Sequence, residues 1–122
     1  MDKNTNTFFK ILREDELRTA LTTATYTGSP DDVRDGFIHF STASQIRGTL
    51  EKYFRGASVH ILAFKTDLFS TNQLRWEPSR GGALFPHLYG TLDASLAHNQ
   101  WQIEIATDGA ITLPFSEEAY RA

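Results

Sequence analysis

Apolar residues fall along this chain in short runs whose spacing changes from one run to the next. Phe8-Phe9-Lys10-Ile11-Leu12 is a compact apolar run and predicts a strand. From Glu14 to Ala24, Leu17, Ala20, Leu21 and Ala24 recur at offsets of three and four, the spacing of one helix face. Glu14, Asp15 and Glu16 suit the positive N-terminal end of that helix. Tyr26 to Asp35 reads as a loop, because Gly28 and Pro30 break any period, and the pair Asp31-Asp32 reads as solvated.

Gly36 to Thr42 alternates as a strand, with Phe37, His39 and Ser41 on one face and Ile38, Phe40 and Thr42 on the other. Thr42-Ala43-Ser44-Gln45 fits a capping box. Ile46, Leu50, Tyr53 and Phe54 then form the stripe of a second helix, which Gly56 stops. Ser58 to Lys65 predicts a strand, and Leu74 to Glu77 a short extended piece ended by Pro78. Ser79 to Pro86 predicts a glycine-bearing loop, His87 to Gly90 another extended piece, and Asp93 to Ala97 a helical turn. Trp101 to Ile105 alternates as a strand, and Asp108-Gly109 turns into an expected strand at Ile111-Thr112-Leu113. The expected fold class is α+β, with about six strands and two main helices. One domain is expected over residues 8–122, after a disordered tail over residues 1–7.

A length of 122 residues suits one domain, and 40% hydrophobic with 22% charged residues is ordinary globular composition. Nine Phe, four Tyr and two Trp can fill a core without staples. Lys+Arg number 12 against 15 Asp+Glu, a formal net charge of -3, so there is no basic surplus to attract nucleic acid or anionic membranes in general. The absence of cysteine excludes disulfides, thiol catalysis and cysteine-ligated metals. No apolar run approaches the roughly 18 residues of a membrane helix. Met1 to Thr7 lacks the apolar core of a leader. A cytoplasmic location is expected.

Three clusters are candidates for chemistry. His39 and Ser41 share a strand face and can line a cleft, the imidazole orienting a ligand or titrating near neutral pH. Thr42 follows at a helix start, where free N–H groups favour anions. The alternative is a buried histidine satisfied by backbone, with Ser41 part of the cap. In Arg75-Trp76-Glu77-Pro78-Ser79-Arg80-Gly81-Gly82, Arg75 and Arg80 suit a bidentate grip on phosphate or carboxylate. Glu77 and Ser79 lie between them, and the two glycines let backbone approach a ligand. The alternative is a loop pinned by internal Arg–Glu pairs. In Phe85-Pro86-His87-Leu88-Tyr89-Gly90, His87 and Tyr89 offer an aromatic, hydrogen-bonding wall for a nucleobase, nicotinamide or sugar. The alternative is core packing with a polar tip. His60 and His98 have no partner by spacing. No HxH or HExxH spacing supports a metal site, and no GxGxxG, Walker or GxSxG pattern is present.

Phe9-Lys10-Ile11-Leu12, Gly28-Ser29 and Asp35-Gly36-Phe37-Ile38-His39-Phe40-Ser41-Thr42 resemble the bacterial domain-of-unknown-function 952 family. The sixteen residues Arg75 to Gly90 resemble it more closely still, so that the likeness spans Phe8 to Leu92. Phe40 stands where that family more often has Leu, and nothing from Thr107 onward takes part. The resemblance implies a fold like that of the ADP-ribosyltransferase superfamily, a split and bent antiparallel sheet around a cleft. It supplies no activity, the family being uncharacterised. In that superfamily a strand-borne His followed two residues later by Ser or Thr holds the nicotinamide-ribose side of NAD, and the RNA 2′-phosphotransferases of the same fold carry a similar string. His39 and Ser41 are similar to it. The implied function is a cleft for a nucleotide-like or phosphorylated small molecule, with NAD as a possible substrate and no other cofactor. His39, Ser41 and Thr42 would form one wall, Arg75, Ser79 and Arg80 would hold anionic groups, and His87 and Tyr89 would form the stacking wall. Glu77 and His39 would be the catalytic pair in ADP-ribosyl or related transfer, Glu77 steadying positive charge that develops on the ribose. The rival expectation is a non-catalytic small-molecule or anion-binding module whose motif blocks serve structure.

Overall fold

Two three-stranded antiparallel sheets are joined through the backbone of Ser41, which bridges to Phe9 of the first just after the strand that belongs to the second. The computed structural model describes residues 6–120. In the first sheet β1 (Thr7–Leu12) and β6 (Asn99–Glu104) flank β3 (Ser58–Lys65). In the second, β2 (Ile38–His39) and β4 (Leu74–Pro78) flank β5 (Leu84–Leu88). His39 pairs with His87 in the second sheet, and two residues later Ser41 exchanges both backbone hydrogen bonds with Phe9 of β1, at 2.8 and 2.9 Å. Between them the Phe40 N–H donates to the Pro86 carbonyl at 3.0 Å. The expected α+β class is therefore what the chain adopts, with most strands near the expected positions, although the one expected over Gly36 to Thr42 is regular only at Ile38–His39.

Two strands of the first sheet, β1 and β3, are buried on both faces, which is why they read as mostly apolar runs interrupted only by Lys10 and His60, whereas β6 is largely exposed. Phe8, Leu12, Leu62 and Phe64 face one core, and Phe9, Ile11, Val59, Ile61 and Ala63 face the other. The first core also takes Ile38, Phe40, Leu74 and Leu88 from the second sheet. The second core takes Ile46 and Leu50 of α3 (Ile46–Tyr53).

Several expectations need correction. The first helix, α1 (Glu14–Leu21), stops three residues short of Ala24, where a threonine-rich stretch begins and Thr22 caps it. The expected loop before Gly36 contains a third helix, α2 (Pro30–Asp35). Its capping is complete: Ser29 and Asp32 form a reciprocal box, Pro30 occupies the first turn, and Gly36 closes it at φ 87°. The loop expected to reach Pro86 ends sooner, because β5 begins at Leu84. Ile111–Leu113 forms no strand; Ile111 and Leu113 pack against the second core instead. Thr7, grouped with the tail, is buried in β1, whereas residues 1–5 of that tail lie outside the described residues. At the capping box expected at Thr42, Gln45 Oε1 accepts from the Thr42 N–H at 3.1 Å, and the helix itself begins at Ile46. Among the described residues no helix is long and apolar enough to cross a membrane.

Candidate functional site

Cross-strand register decides which side chains meet. His39 stands opposite His87, Arg75 opposite His87 on the other side, and Glu77 opposite Phe85. Side chains alternate along a strand, so Phe37, His39, Arg75, Glu77, Phe85, His87 and Tyr89 share one face of the second sheet. The opposite face carries Ile38, Leu74 and Leu88 into the first core.

His39 is held by a residue outside the expected site. Asp32 is 2% exposed and accepts from four donors. Its Oδ1 takes His39 Nδ1 at 2.6 Å and the His39 N–H at 3.1 Å. Its Oδ2 takes Lys10 Nζ at 2.7 Å and the Ser29 N–H at 2.9 Å. Burial alone would raise the Asp32 carboxyl, but the hydrogen bonds from His39 and Lys10, the Lys10 charge and the Ser29 N–H outweigh it and hold it well below the usual carboxylate range. The expectation of a solvated aspartate pair is thus right for Asp31, which is exposed, and wrong for Asp32. Gly28 is part of the arrangement: a Cβ there would lie 2.5 Å from Asp32 Cβ, and its φ is +107°. The second ring nitrogen of His39, Nε2, lies 3.1 Å from Asp35 Oδ2.

His87 has a carboxylate of its own. Its Nδ1 donates to Glu77 Oε1 at 2.7 Å, and the Tyr89 hydroxyl donates to the same oxygen at 2.8 Å. Burial lowers the His87 imidazole by more than the Glu77 hydrogen bond raises it. Glu77 is held low because the hydrogen bonds from His87 and Tyr89 outweigh its desolvation, and the bond to Glu77 pushes Tyr89 up. Phe37 stacks on the His87 ring at 4.1 Å, and the His39 and His87 rings meet edge to face with centroids 5.4 Å apart.

Arg80 approaches from the other side. Its Nη1 donates to Thr49 Oγ1 at 2.9 Å, and its guanidinium lies 5.0 Å over the Phe85 ring. Thr49 in turn lies 3.3 Å from the Ser41 hydroxyl. Gly48 makes room for Arg80, since a Cβ there would come within 3.0 Å of Nη2.

A cleft of about 670 Å³ opens between these groups. His39, Ser41, Ser79, Arg80 and His87 line it, together with Lys10, Asp32, Asp35 and Thr49, none of which was expected at a site. Thr42, Arg75, Glu77 and Tyr89 do not line it. Thr42 is buried on the opposite strand face and bonds Ser44. Arg75 lies 4.6 Å over the Tyr89 ring and donates to the Asn72 carbonyl. Glu77 stands behind His87. Arg75, Glu77 and Arg80 form no ion pair with one another among the described residues, so the alternative of a closed internal network does not arise. His60, expected to be without a partner, bonds Glu14 Oε1 at 2.8 Å. No group of three or more His, Asp or Glu able to hold a metal occurs among the described residues.

Residues 11–99 match the model of a family described as protein of unknown function DUF952. Two solved structures of the protein CC0527 from Caulobacter crescentus are similar in fold. The X-ray structure has a TM-score of 0.79 at 36% identity, over 87% of this chain and 93% of that one. The solution NMR structure has a TM-score of 0.73 at 38% identity, over 84% and 89%. No curated protein matches.

Proposed function

The chain belongs to the DUF952 family, and on that premise we propose that its cleft binds a nucleotide-like, phosphorylated small molecule. The observation behind this reading is the convergence of His39, Ser41, Ser79, Arg80 and His87, from separate parts of the chain, on one hollow. Its volume of about 670 Å³ falls within the usual range of small-molecule sites, roughly 300–1,000 Å³. Arg80 supplies the planar fork that suits phosphate oxygens, and the Ser41 and Thr49 hydroxyls beside it add neutral donors. Asp15, Glu16, Asp31, Asp32 and Asp35 also line the cleft and repel phosphate; of the other cations there, Lys10 and Arg34 are ion-paired with three of these carboxylates and Arg13 lies over the Phe54 ring, so the anionic part of a ligand is assigned to Arg80.

The chemistry we assign is transfer of ADP-ribose or a related group, with NAD as donor, on an ADP-ribosyltransferase-like fold. The similarity of His39-Phe40-Ser41 to the His-x-Ser/Thr string of that superfamily supports it, as does a pair of antiparallel sheets joined beside the cleft. In such a transfer the bond from ribose C1′ to the nicotinamide nitrogen breaks and nicotinamide leaves with the electron pair. An oxygen or nitrogen of the acceptor bonds to C1′ and releases its proton to solvent. His39 and His87, with Arg80, are proposed to touch the ligand; Glu77, behind His87, acts on it only through that ring.

One observation favours binding without turnover. Both ring nitrogens of His39 and part of the Arg80 fork already have protein partners. Two measurements separate the readings. Calorimetric titration with NAD, ADP-ribose and a 2′-phosphorylated RNA is expected to give heat with at least one, lost in Arg80→Ala. Silence from all three at millimolar concentration contradicts the proposal. Release of nicotinamide from NAD then marks an enzyme, and binding without release marks a module.

A further inference from the structure

Three buried side-chain polar atoms lack a hydrogen-bond partner among the described residues: Tyr26 Oη, His60 Nδ1 and His87 Nε2. Of the three residues, only His87 lines the cleft. A buried acceptor without a donor is costly to a fold, and native proteins keep few of them. His87 is also fixed in its role. With Nδ1–H given to Glu77 Oε1, the neutral ring presents Nε2 as a lone pair, and Phe37 stacked on its face holds the plane.

We infer that His87 Nε2 accepts a hydrogen bond from an uncharged hydroxyl of the ligand, so that the cleft selects a phosphorylated sugar over a bare phosphate or diphosphate. The inference rests on the proposed reading of the cleft. It departs from a stacking role for His87, because Phe37 already covers a ring face and the atom without a partner lies in the ring plane. Burial first, and then the neighbouring His39, disfavour positive charge at His87, so the donor is neutral. The lone pair repels an anionic oxygen, which leaves phosphate to Arg80. Glu77 is a positioning residue: it fixes which nitrogen carries the proton. A site built around a hydroxyl discriminates strongly against ligands that lack one, because its buried acceptor then stays unpaired.

The test uses protein labelled with ¹⁵N-histidine and two-bond ¹H–¹⁵N correlation near pH 7.5, above the usual histidine range. Free protein is expected to show His87 with a protonated Nδ1 and a pyridine-type Nε2. A proton on Nε2 overturns the inference before any ligand is added. ADP-ribose is expected to shift the Nε2 resonance toward its hydrogen-bonded position, and inorganic pyrophosphate to bind without doing so. His87→Phe is expected to weaken ADP-ribose about tenfold and leave pyrophosphate unchanged. If that variant does not fold, the wild-type spectra still decide. ADP-ribose that binds without moving Nε2 overturns the inference and spares the reading of the cleft. Pyrophosphate that moves it equally does the same. Absence of binding by both ligands overturns the inference; the reading of the cleft falls with it when NAD and the 2′-phosphorylated RNA are silent as well.

Discussion

Asp32 Oδ1 lies 2.6 Å from His39 Nδ1 and also accepts the His39 N–H, so one carboxylate oxygen fixes both the ring and the backbone of that residue. The other oxygen of Asp32 is spent on Lys10 and Ser29. Asp32 therefore links β1, the start of α2 and β2, and the position of His39 follows from that link.

Removing this carboxylate should cost far more than removing a surface charge. Lys10 is 6% exposed at its side chain and would be left buried without a counter-charge. Asp32→Ala is expected to lower stability by about 3–5 kcal/mol in urea denaturation. A loss below about 1 kcal/mol would mean that water reaches Lys10.

Acid should destabilise the fold in two stages. His87 is lower in the folded chain than its unfolded value near 6.5, so as pH falls below about 6.5 the unfolded chain takes up a proton first. Stability is full above that pH, declines as pH falls toward the folded value, and then levels off. Asp32 and Glu77 are also held low, so their contribution is full above about pH 4.5 and is lost below it. Melting temperature between pH 7.5 and 3 is the readout. His87→Phe should flatten most of the upper stage, with His98, also lowered by burial, accounting for the rest. An unchanged upper stage in that variant would show that His87 is not the group responsible.

Gly48 offers a substitution whose effects on stability and binding have opposite signs. Alanine inside α3 is expected to gain roughly 0.5–1 kcal/mol from backbone entropy. Its Cβ would press on Arg80 Nη2 at 3.0 Å and move the guanidinium off Thr49. Gly48→Ala should therefore melt higher and bind ADP-ribose severalfold more weakly. Unchanged affinity would place the anion elsewhere.

Much of this fold is legible in the sequence where burial is two-sided or alternation is clean. Ser58–Lys65 is recognisable to the residue because its apolar run is buried on both faces. The face pattern of Phe37 to Thr42 separates His39 and Ser41 from Ile38 and Phe40, and it also places Thr42 on the side away from the cleft. α2 is hidden from periodicity: its one large apolar residue, Val33, is 61% exposed, so no stripe marks it. Its signal lies in capping chemistry, Ser29-Pro30-Asp31-Asp32 followed by Gly36. The burial of Asp32 is not local information, since its ion partner Lys10 lies 22 residues away in an apolar strand. Arg75 and Glu77 do share a face, as expected, but Tyr89 and His87 take up their polar atoms before the cleft is reached. Ile111–Leu113 has strand-like alternation but forms no strand, and Ile111 and Leu113 pack against the second core instead.

The most direct test of the central claim is a crystal of the protein grown with ADP-ribose. The account predicts the diphosphate on Arg80, beside Ser41 and Thr49, with a ribose facing His39. Ligand bound only on another face, with the Arg80–Thr49 contact undisturbed and the hollow holding nothing but solvent, would contradict it.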